Sequence, residues 1–263
     1  MTKEIKSNPL LADWTGPFGV PPFDKLAPEQ FRPAFDAAIA EHDLQIAAIA
    51  DDPSPADFDN TIAALERSGR TLRRVSLVFF NLAGAHTNDA LESIEREISP
   101  LLARHDAKIH LNDALFARVD AVYAKRGTLG LDAEQLRLVE RYYLAFRRAG
   151  AGLAPDVKKR LATIGERLAA LGTQFSQNVL ADEKAFTLVL DEGDDLAGLP
   201  EWLIAEAAET AREHGFPGKY AITLGRSSVE PFLTLSQRRD LREKIWRAWT
   251  ARGETGGTTD NRA

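Results

Sequence analysis

The chain has 263 residues, 44% of them hydrophobic and 27% charged, which is the balance of an ordinary folded soluble protein. Thirty-nine Asp and Glu against 33 Lys and Arg give a formal charge of −6, which argues against a general nucleic-acid binder, since phosphate neutralisation needs a basic surface. The absence of Cys excludes disulfides, thiolate metal sites and a cysteine nucleophile, and it suits the cytoplasm. We find neither a secretory signal nor an apolar run of the roughly 18 residues that a membrane span needs.

Residues 1–27 contain repeated Pro and Gly and predict an extended, irregular N-terminal arm. We expect its aromatic side chains, Trp14, Phe18 and Phe23, to pin the arm to the main body. From about Pro28 onward the pattern is helical, so the predicted fold class is mainly α.

Apolar residues at steps of three and four predict a series of helices. The first has one face formed by Phe31, Phe35, Ile39, His42, Ile46 and Ile49. The second, capped by Asn60 or Thr61, continues to Leu82 and has Gly69 on its apolar stripe, where a small residue lets a neighbouring helix approach closely. Further helices begin near Asn88, with a kink expected at Pro100, and then near Asn112 and Asp132.

The clearest helix covers about 156–180 and is roughly 40 Å long at 1.5 Å per residue. Its apolar stripe consists of Val157, Leu161, Ile164, Leu168, Leu171, Phe175 and Val179, and we expect it to lie against several other helices. Two alternating segments, "AFTLVLDE" and "KYAITLG", predict a small β element near residues 185–225. A helix over about 200–214 separates the two strands, and a last helix covers about 236–252.

Histidines are the first candidates for chemistry, and they are His42, His86, His105, His110 and His214. A helical zinc site takes two His at i and i+4 on one face. His105 and His110 are five residues apart, about 140° round a helix at 100° per residue, so they do not readily share a metal. Capping and surface roles are the preferred interpretation of each.

Acidic clusters occur at Asp51, Asp52, Asp57 and Asp59 and at Asp191, Glu192, Asp194 and Asp195. Neither has the alternating oxygen ligands and closing Glu of a calcium loop, so we interpret both as solvated turns. "GRSS" at 225–228 is not a nucleophile elbow, and "GAGLAP" at 150–155 lacks the Lys and spacing of a phosphate loop. No catalytic or metal-binding residue is assigned, and substrate-binding residues are not identified.

Four arginines, Arg67, Arg70, Arg73 and Arg74, form a basic stripe along one helix face. The stripe suits an anionic ligand, but a solvated face paired with neighbouring acids is the preferred interpretation. The chain ends with a glycine-rich turn followed by "TTDNRA", which looks like the cap and start of another helix.

Several segments resemble one family, the bacterial peptidyl-dipeptidases (dipeptidyl carboxypeptidases) of the thimet-oligopeptidase-like zinc peptidases. The longest are "GPFGVPPFDKLAPEQFRPAFDAAIAEHDLQIAAI", "FDNTIAALERSGRTLRRVSLVFFNLAGAHTND" and "YAITLGRSSVEPFLTLSQRRDLREKIWRAWTARG". The resemblance covers nearly the whole chain, in order, through the final "DNR". It implies a helical two-lobed enzyme with a deep channel for short peptides, in which H-E-x-x-H and a further Glu hold zinc and the motif Glu is the general base.

This sequence contains no H-E-x-x-H, so no zinc ligand or general base is transferred to it. We therefore interpret residues 28–263 as the helical N-terminal part of a longer peptidase, forming channel wall and lid, with the catalytic half missing and the chain alone inactive. The expected partners are short peptides and that half, not nucleic acid or a membrane, and the exposed interface is expected to favour self-association. Alternatives are a stand-alone helical peptide-binding module, an enzyme using paired carboxylates, and, within the family, internal cleavage of the oligopeptidase A kind.

Overall fold

The structure, a computed structural model, describes residues 8–262 and is mainly α, as predicted. It divides into two compact units, one ending at Thr173 and the other beginning at Gln174. Two buried apolar clusters lie in the first unit and one in the second. The first seven residues of the predicted arm and the final Ala263 are outside the described residues.

The first unit consists of helices joined by short loops. Helix α1 is Phe31–Ala50, and a π-helical turn, Phe58–Ala63, leads into the short helix α2, Ala64–Arg67. Helices α3 to α6 are Arg70–Ala85, Asp89–His110, Asp113–Lys125 and Ala133–Ala149. Helix α7, Pro155–Ala185, begins in this unit and ends in the next.

Three of these helices begin at the positions that the sequence predicts. The side-chain oxygens of Asn88, Asn112 and Asp132 each accept from the backbone N–H three residues on, at 3.0, 2.9 and 2.8 Å. Such bonds satisfy N–H groups that have no partner inside the helix. Helix α4 is continuous through Pro100 and extends to His110, beyond its predicted apolar run.

Helices α1 and α3 meet in an aromatic core, and Leu91 and Ile98 of α4 belong to the same buried cluster. The rings of Phe31 and Phe35 contact that of Phe79 edge to face, with centroid distances of 5.2 and 5.5 Å. All three side chains are fully buried. Since apolar burial is the dominant favourable term in folding, this core fixes the first helices of the unit.

The helix predicted from Ile62 to Leu82 is in fact two helices. The chain breaks at Gly69, which has a left-handed φ of +67°. A Cβ built there would lie 2.7 Å from the His42 ring, so the small residue accommodates a side chain and a backbone turn rather than a helix crossing. The cap also differs, because the Asp57 carboxylate accepts from Asn60 N at 2.8 Å, and the Asn60 side chain accepts from Asp57 N at 3.0 Å.

The arm is attached through fewer aromatics than expected. Leu10 is fully buried, and Trp14 packs against the aromatic core while its Nε1 donates to Pro9 O at 3.0 Å. Phe18 is fully exposed and Phe23 is 43% exposed, so the prediction that they pin the arm is wrong. Short turns at Pro17–Gly19 and Phe23–Lys25 direct both rings away from the core.

The second unit contains the predicted β element, an antiparallel pair of β1, Thr187–Leu190, and β2, Tyr220–Thr223. Leu188 is opposite Ile222, and both are buried. Helix α8, Glu201–Glu213, shares a core with the sheet through Leu203 and Ala207.

The predicted last helix is observed as α10, Arg239–Thr250. A further helix, α9, Arg226–Leu235, precedes it in a segment for which the sequence predicts no helix. Pro231 lies inside α9, and a proline in the middle of a segment usually indicates the end of a helix, so the sequence does not predict this one. Val229 and Phe232 are nevertheless fully buried, so their packing into the core of this unit stabilises the helix.

Gly69→Ala should destabilise the first unit by roughly 1–3 kcal/mol, because alanine is strained at positive φ and its methyl group would meet the His42 ring. Urea unfolding followed by circular dichroism measures this. Gly84→Ala, in α3 with open space around its Cβ, is the control and should be neutral or slightly stabilising. Equal stability of the two variants would contradict the account of Gly69.

Candidate functional site: the exposed face of the long helix

The long helix α7 presents an apolar stripe that the described chain leaves uncovered. At 1.5 Å per residue its 31 residues extend about 46 Å. Six side chains of the predicted stripe are between 36% and 63% exposed, and they are Val157, Leu161, Ile164, Leu168, Leu171 and Phe175. We call this set the α7 face. The expectation that α7 packs against several helices through this stripe is therefore wrong for the chain as described.

The start of α7 is held in the first unit mainly by polar contacts. The buried Lys158 pairs with Asp113, and Arg104 pairs with Glu166 at 2.7 Å. These contacts orient the helix without covering the α7 face. Apolar exposure on this scale is more typical of an interaction surface than of a free monomer surface.

Two glycines lie within the α7 face. Gly165 and Gly172 fall in the same arc of about 120° as the exposed apolar side chains, counted at 100° per residue. No described atom outside the local helix lies within 4 Å of a Cβ built at either position. A glycine in a helix interior costs roughly 0.5–1 kcal/mol relative to alanine, and the described residues offer no packing that offsets this cost.

The second unit ties the end of α7 to the glycine-rich segment 251–262. The Asp182 carboxylate accepts from Gly253 N at 2.8 Å, Thr255 Oγ1 at 2.9 Å and Thr259 Oγ1 at 2.6 Å. The hydrogen bond from Thr259 is the largest cause of the lowered pKa of Asp182, and the bonds from Gly253 and Thr255 lower it further. The segment is thus an ordered strap on α7 rather than a loose tail.

The predicted helix cap in this segment is partly observed. Asp260 Oδ1 accepts from Arg262 N at 2.9 Å, the bond that an N-cap residue makes. Gly257–Thr259 forms a single 3₁₀ turn ahead of it. The bonding of Asp260 is therefore compatible with a helix start.

Two histidines that are far apart in sequence meet in the first unit. Nε2 of His105 lies 2.9 Å from Nδ1 of His42, and Nε2 of His42 lies 3.1 Å from the Ser68 hydroxyl. Asp43 is 3.3 Å from the remaining His105 nitrogen without hydrogen-bond alignment, and Lys108 holds its other oxygen at 2.7 Å. Helices α1 and α4 contribute these residues to the junction between α2 and α3. The pair was not apparent from the sequence, because 63 residues separate its members.

The chain of Asp43, His105, His42 and Ser68 has the residue types of a hydrolase relay, but its hydrogen bonds indicate a structural role. The Ser68 hydroxyl donates to Leu65 O at 2.7 Å, so its proton satisfies the end of α2 and is not offered to His42. The His105 nitrogen nearest Asp43 is buried without a hydrogen-bond partner. The arrangement therefore positions three helix ends and leaves no activated nucleophile.

The other histidines have local partners. His110 pairs with Asp106 at 3.1 Å in α4, and the Thr187 hydroxyl lies 3.0 Å from His214 Nδ1. His86 terminates α3 through its backbone N–H. His105 and His110 thus have different partners, His42 for the first and Asp106 for the second.

Both acidic clusters are tied into the protein. The buried Arg118 donates to the carbonyls of Asp52 and Ser54, at 2.7 and 3.0 Å, and so holds the loop before α2. In the second cluster Asp191 pairs with Lys219 and Asp195 with Arg238. "GAGLAP" supplies Gly150, a left-handed residue that ends α6. "GRSS" supplies Ser228 Oγ, which accepts from Thr223 N at 3.2 Å.

The arginines of the basic stripe form fewer ion pairs with neighbouring acids than expected from the sequence. Arg74 stacks on Trp14, and Arg67 reaches Asp59 O at 3.3 Å. Arg70 and Arg73 are exposed and make no ion pair with any residue in 8–262. The expected pairing with neighbouring acids is therefore wrong for these two side chains.

The described residues do not fit a zinc site. In the range 8–262 no three or more His, Asp or Glu side chains are grouped so that they could hold a metal ion. The nearest approach is the pair His42 and His105, whose facing nitrogens bond to each other. Within the same range, no helix combines the length and apolarity that crossing a bilayer requires.

The histidine pair should make the stability of the first unit depend on pH. Burial lowers the pKa of both His42 and His105, so their neutral forms stabilise the fold above the unfolded value near 6.5. That contribution is lost as the pH falls through the folded pKa values. A hydrogen bond to Asp106 raises the pKa of His110, which contributes below about pH 6.5 and loses its contribution as the pH rises.

We therefore expect the urea midpoint to fall less steeply between about pH 7.5 and pH 5 in His105→Gln than in the unaltered chain. His110→Gln should fall more steeply, because it lacks the opposing contribution. Circular dichroism at matched ionic strength follows both titrations. Identical pH slopes in all three proteins would contradict the role assigned to the pair.

Comparison with known proteins finds relatives along almost the entire chain. It is 44% identical over 256 residues to the dipeptidyl carboxypeptidase of Escherichia coli K12, which is 97% of this chain and 38% of that protein. It is 42% identical over 259 residues to the Salmonella typhimurium dipeptidyl carboxypeptidase, with 98% and 38% covered. Oligopeptidase A of Escherichia coli is 27% identical over 259 residues, with 97% and 37% covered.

The chain thus spans somewhat more than a third of the length of these relatives. No protein-family model matches it. The identity to the two dipeptidyl carboxypeptidases exceeds that to the Escherichia coli oligopeptidase A by at least 15 percentage points, the difference between 42% and 27%. The predicted resemblance is confirmed: over nearly its whole length, the chain is a relative of the bacterial dipeptidyl carboxypeptidases and, more distantly, of the oligopeptidase A proteins.

Proposed function

We propose that the chain is the N-terminal, non-catalytic part of a zinc peptidyl-dipeptidase that acts on short peptides and releases dipeptides from the free C-terminus. Residues 28–263 form wall and lid of the peptide channel, preceded by the arm of residues 1–27. The zinc ligands and the general base belong to the remainder of the longer protein, and the compartment is the cytoplasm.

The observation that carries the proposal is the α7 face. An amphipathic helix is stable in water when its apolar stripe is buried, and the other residues in the range 8–262 do not bury this one. Relatives that match 97% of the chain are only 38% covered by it, so a covering segment of ample length is available in a protein of their size. We assign the α7 face to contact with that segment.

The glycines strengthen this assignment. A missing Cβ permits close approach of another backbone, and both Gly165 and Gly172 are open on the side that the exposed apolar residues share. Their destabilising effect on an isolated helix is offset if a helix of the remaining chain packs across them. A face used only for loose contact would not need glycine.

We prefer dipeptide release over internal cleavage because the chain is more similar to the dipeptidyl carboxypeptidases than to oligopeptidase A. Those named dipeptidyl carboxypeptidase are 42–44% identical, against 27% for the Escherichia coli oligopeptidase A. This part of the chain contains no residue that we can assign to recognition of a substrate C-terminus. The preference therefore rests on overall similarity.

The size of the native protein is the first test. An immunoblot of the source cell with antibody against this chain should give a band more than twice 28.9 kDa, because the relatives are more than twice as long as the matched segment. The 263-residue chain should neither retain zinc nor cleave a fluorogenic peptide, whereas the longer product should do both and lose activity on chelation.

Either of two results would count against this. A native band at 28.9 kDa would make a stand-alone peptide-binding module the better account, and calorimetry with short peptides would then measure its affinity. Peptide hydrolysis that copurifies with the 263-residue chain would overturn the non-catalytic role.

The α7 face is tested by Leu168→Asp, with Leu44→Asp as the matched control, since these leucines are 63% and 74% exposed. In the isolated chain both changes should leave stability within about 0.5 kcal/mol. We expect the unaltered chain to self-associate in light scattering and Leu168→Asp to reduce this. In the longer protein Leu168→Asp should cost roughly 1–3 kcal/mol or more by burying a carboxylate, and Leu44→Asp should not.

Gly172→Ala separates contact from helix propensity. It should stabilise the isolated chain by roughly 0.5–1 kcal/mol and destabilise the longer protein, where the added methyl group meets the covering segment. Stabilisation of both forms would show that nothing packs closely there. Equal effects of the two aspartate variants in the longer protein would contradict the special role of the α7 face.

A further inference from the structure

The arginines at the start of α3 have a role that the proposed peptidase function does not use. We propose that they bind a small ligand carrying at least two oxyanion groups, phosphate or carboxylate. The site is built entirely from the first unit and is independent of the α7 face and of zinc.

The arginines line a half-open cavity in the surface of the first unit. Arg67, Arg70, Arg73 and Arg74 line a space of about 670 Å³ together with Asp13 and Glu66. A volume of several hundred Å³ is the size of a small-molecule pocket. Four guanidinium groups against two carboxylates leave the lining at +2, in a chain whose formal charge is −6.

The two carboxylates neutralise this charge poorly. Glu66 accepts a hydrogen bond from the Tyr142 hydroxyl at 2.7 Å. Burial raises the pKa of that hydroxyl, and the bond to Glu66 raises it further. Neither Glu66 nor Asp13 forms an ion pair with Arg70 or Arg73, and no other residue in 8–262 does. Elsewhere in the described chain, exposed arginines such as Arg226 and Arg247 pair with a carboxylate four residues away.

Arg74 forms the more rigid part of the lining. Its guanidinium lies 4.8 Å from the centre of the Trp14 ring, and one terminal nitrogen donates to Leu10 O at 3.2 Å. Its Nε is buried and has no hydrogen-bond partner, which is costly for a charged donor. The ring contact and the bond to Leu10 O hold the guanidinium at the edge of the cavity.

The position of Arg70 and Arg73 in the helix also favours an anionic ligand. Arg70 and Arg73 lie in the first turn of α3, which has no acidic residue and no side-chain cap. Cations are unfavourable at a helix N-terminus, where the peptide dipoles already place partial positive charge. The placement therefore weakens the helix but raises its attraction for an anion.

The spacing indicates the ligand class. Side chains at i and i+3 start about 5–6 Å apart on a helix, so Arg70 and Arg73 can each take a different anionic group of one molecule. Guanidinium groups bind carboxylate and phosphate in the same bidentate way, which makes these the shared chemistry. The largely exposed Leu77 provides an apolar wall for the body of the ligand.

Calorimetry on the 263-residue chain tests the site with two probes, inorganic pyrophosphate and citrate. We expect at least one to bind with one-to-one stoichiometry and with an affinity that falls as salt rises. The variant Arg70→Gln/Arg73→Gln should weaken binding at least tenfold. Arg160→Gln/Arg167→Gln, which removes the same charge from exposed positions of α7, should change it less than twofold.

The unfolding of the same variant shows whether lost binding reflects lost structure. Its urea midpoint should equal or exceed that of the unaltered chain, because two cations leave a helix N-terminus. Binding of pyrophosphate alone would identify a phosphorylated ligand, and binding of citrate alone a polycarboxylate. No binding of either probe, or equal losses in both double variants, would overturn the proposal.

Discussion

An amphipathic helix of 31 residues requires a partner for its apolar side, and the described part of the chain does not provide one for α7. The other helices satisfy this requirement: Phe79 in α3, Val119 in α5 and Phe146 in α6 are all essentially inaccessible. In α7 only Lys158 and Thr173 are buried, and both are polar. In the first unit, ion pairs of Lys158 and Glu166 hold the start of the long helix. In the second unit, Asp182 near its end accepts hydrogen bonds from the segment 251–262. Between these contacts its apolar side chains face solvent.

The buried apolar clusters and the exposed α7 face differ in whether the described chain covers them. The three apolar clusters are closed by residues of the chain itself and need no further partner. Each of the other described α-helices buries at least one apolar side chain, whereas α7 buries none. This exposed helix occurs in a chain that covers 38% of the Escherichia coli dipeptidyl carboxypeptidase to which it is similar. The same physical requirement that builds each core is therefore the basis for the proposal that a segment outside this sequence covers the α7 face.

Buried polar groups in the first unit define geometry rather than chemistry. Arg118 replaces water around the carbonyls of the loop before α2, and the His42–His105 pair does the same for the junction at Ser68 and Gly69. Such groups are costly to bury unless hydrogen-bonded, so their networks favour one arrangement of the helices over others. The arginines of α3 differ, because Arg70 and Arg73 form no ion pair with any described residue.

Local features of this protein were predictable from its sequence. Apolar periodicity located α1 and α4 to α8, alternation located both strands, and Asn88, Asn112 and Asp132 marked helix starts, because each signal depends on residues a few positions apart. Features that depend on distant residues were not predictable: the left-handed Gly69 under the His42 ring, the burial that stabilises α9 despite Pro231, and the missing partners of Arg70 and Arg73. Periodicity identifies which side of α7 is apolar, but only the tertiary structure reveals that this side is open, because burial is a property of what packs against a helix and not of the helix itself.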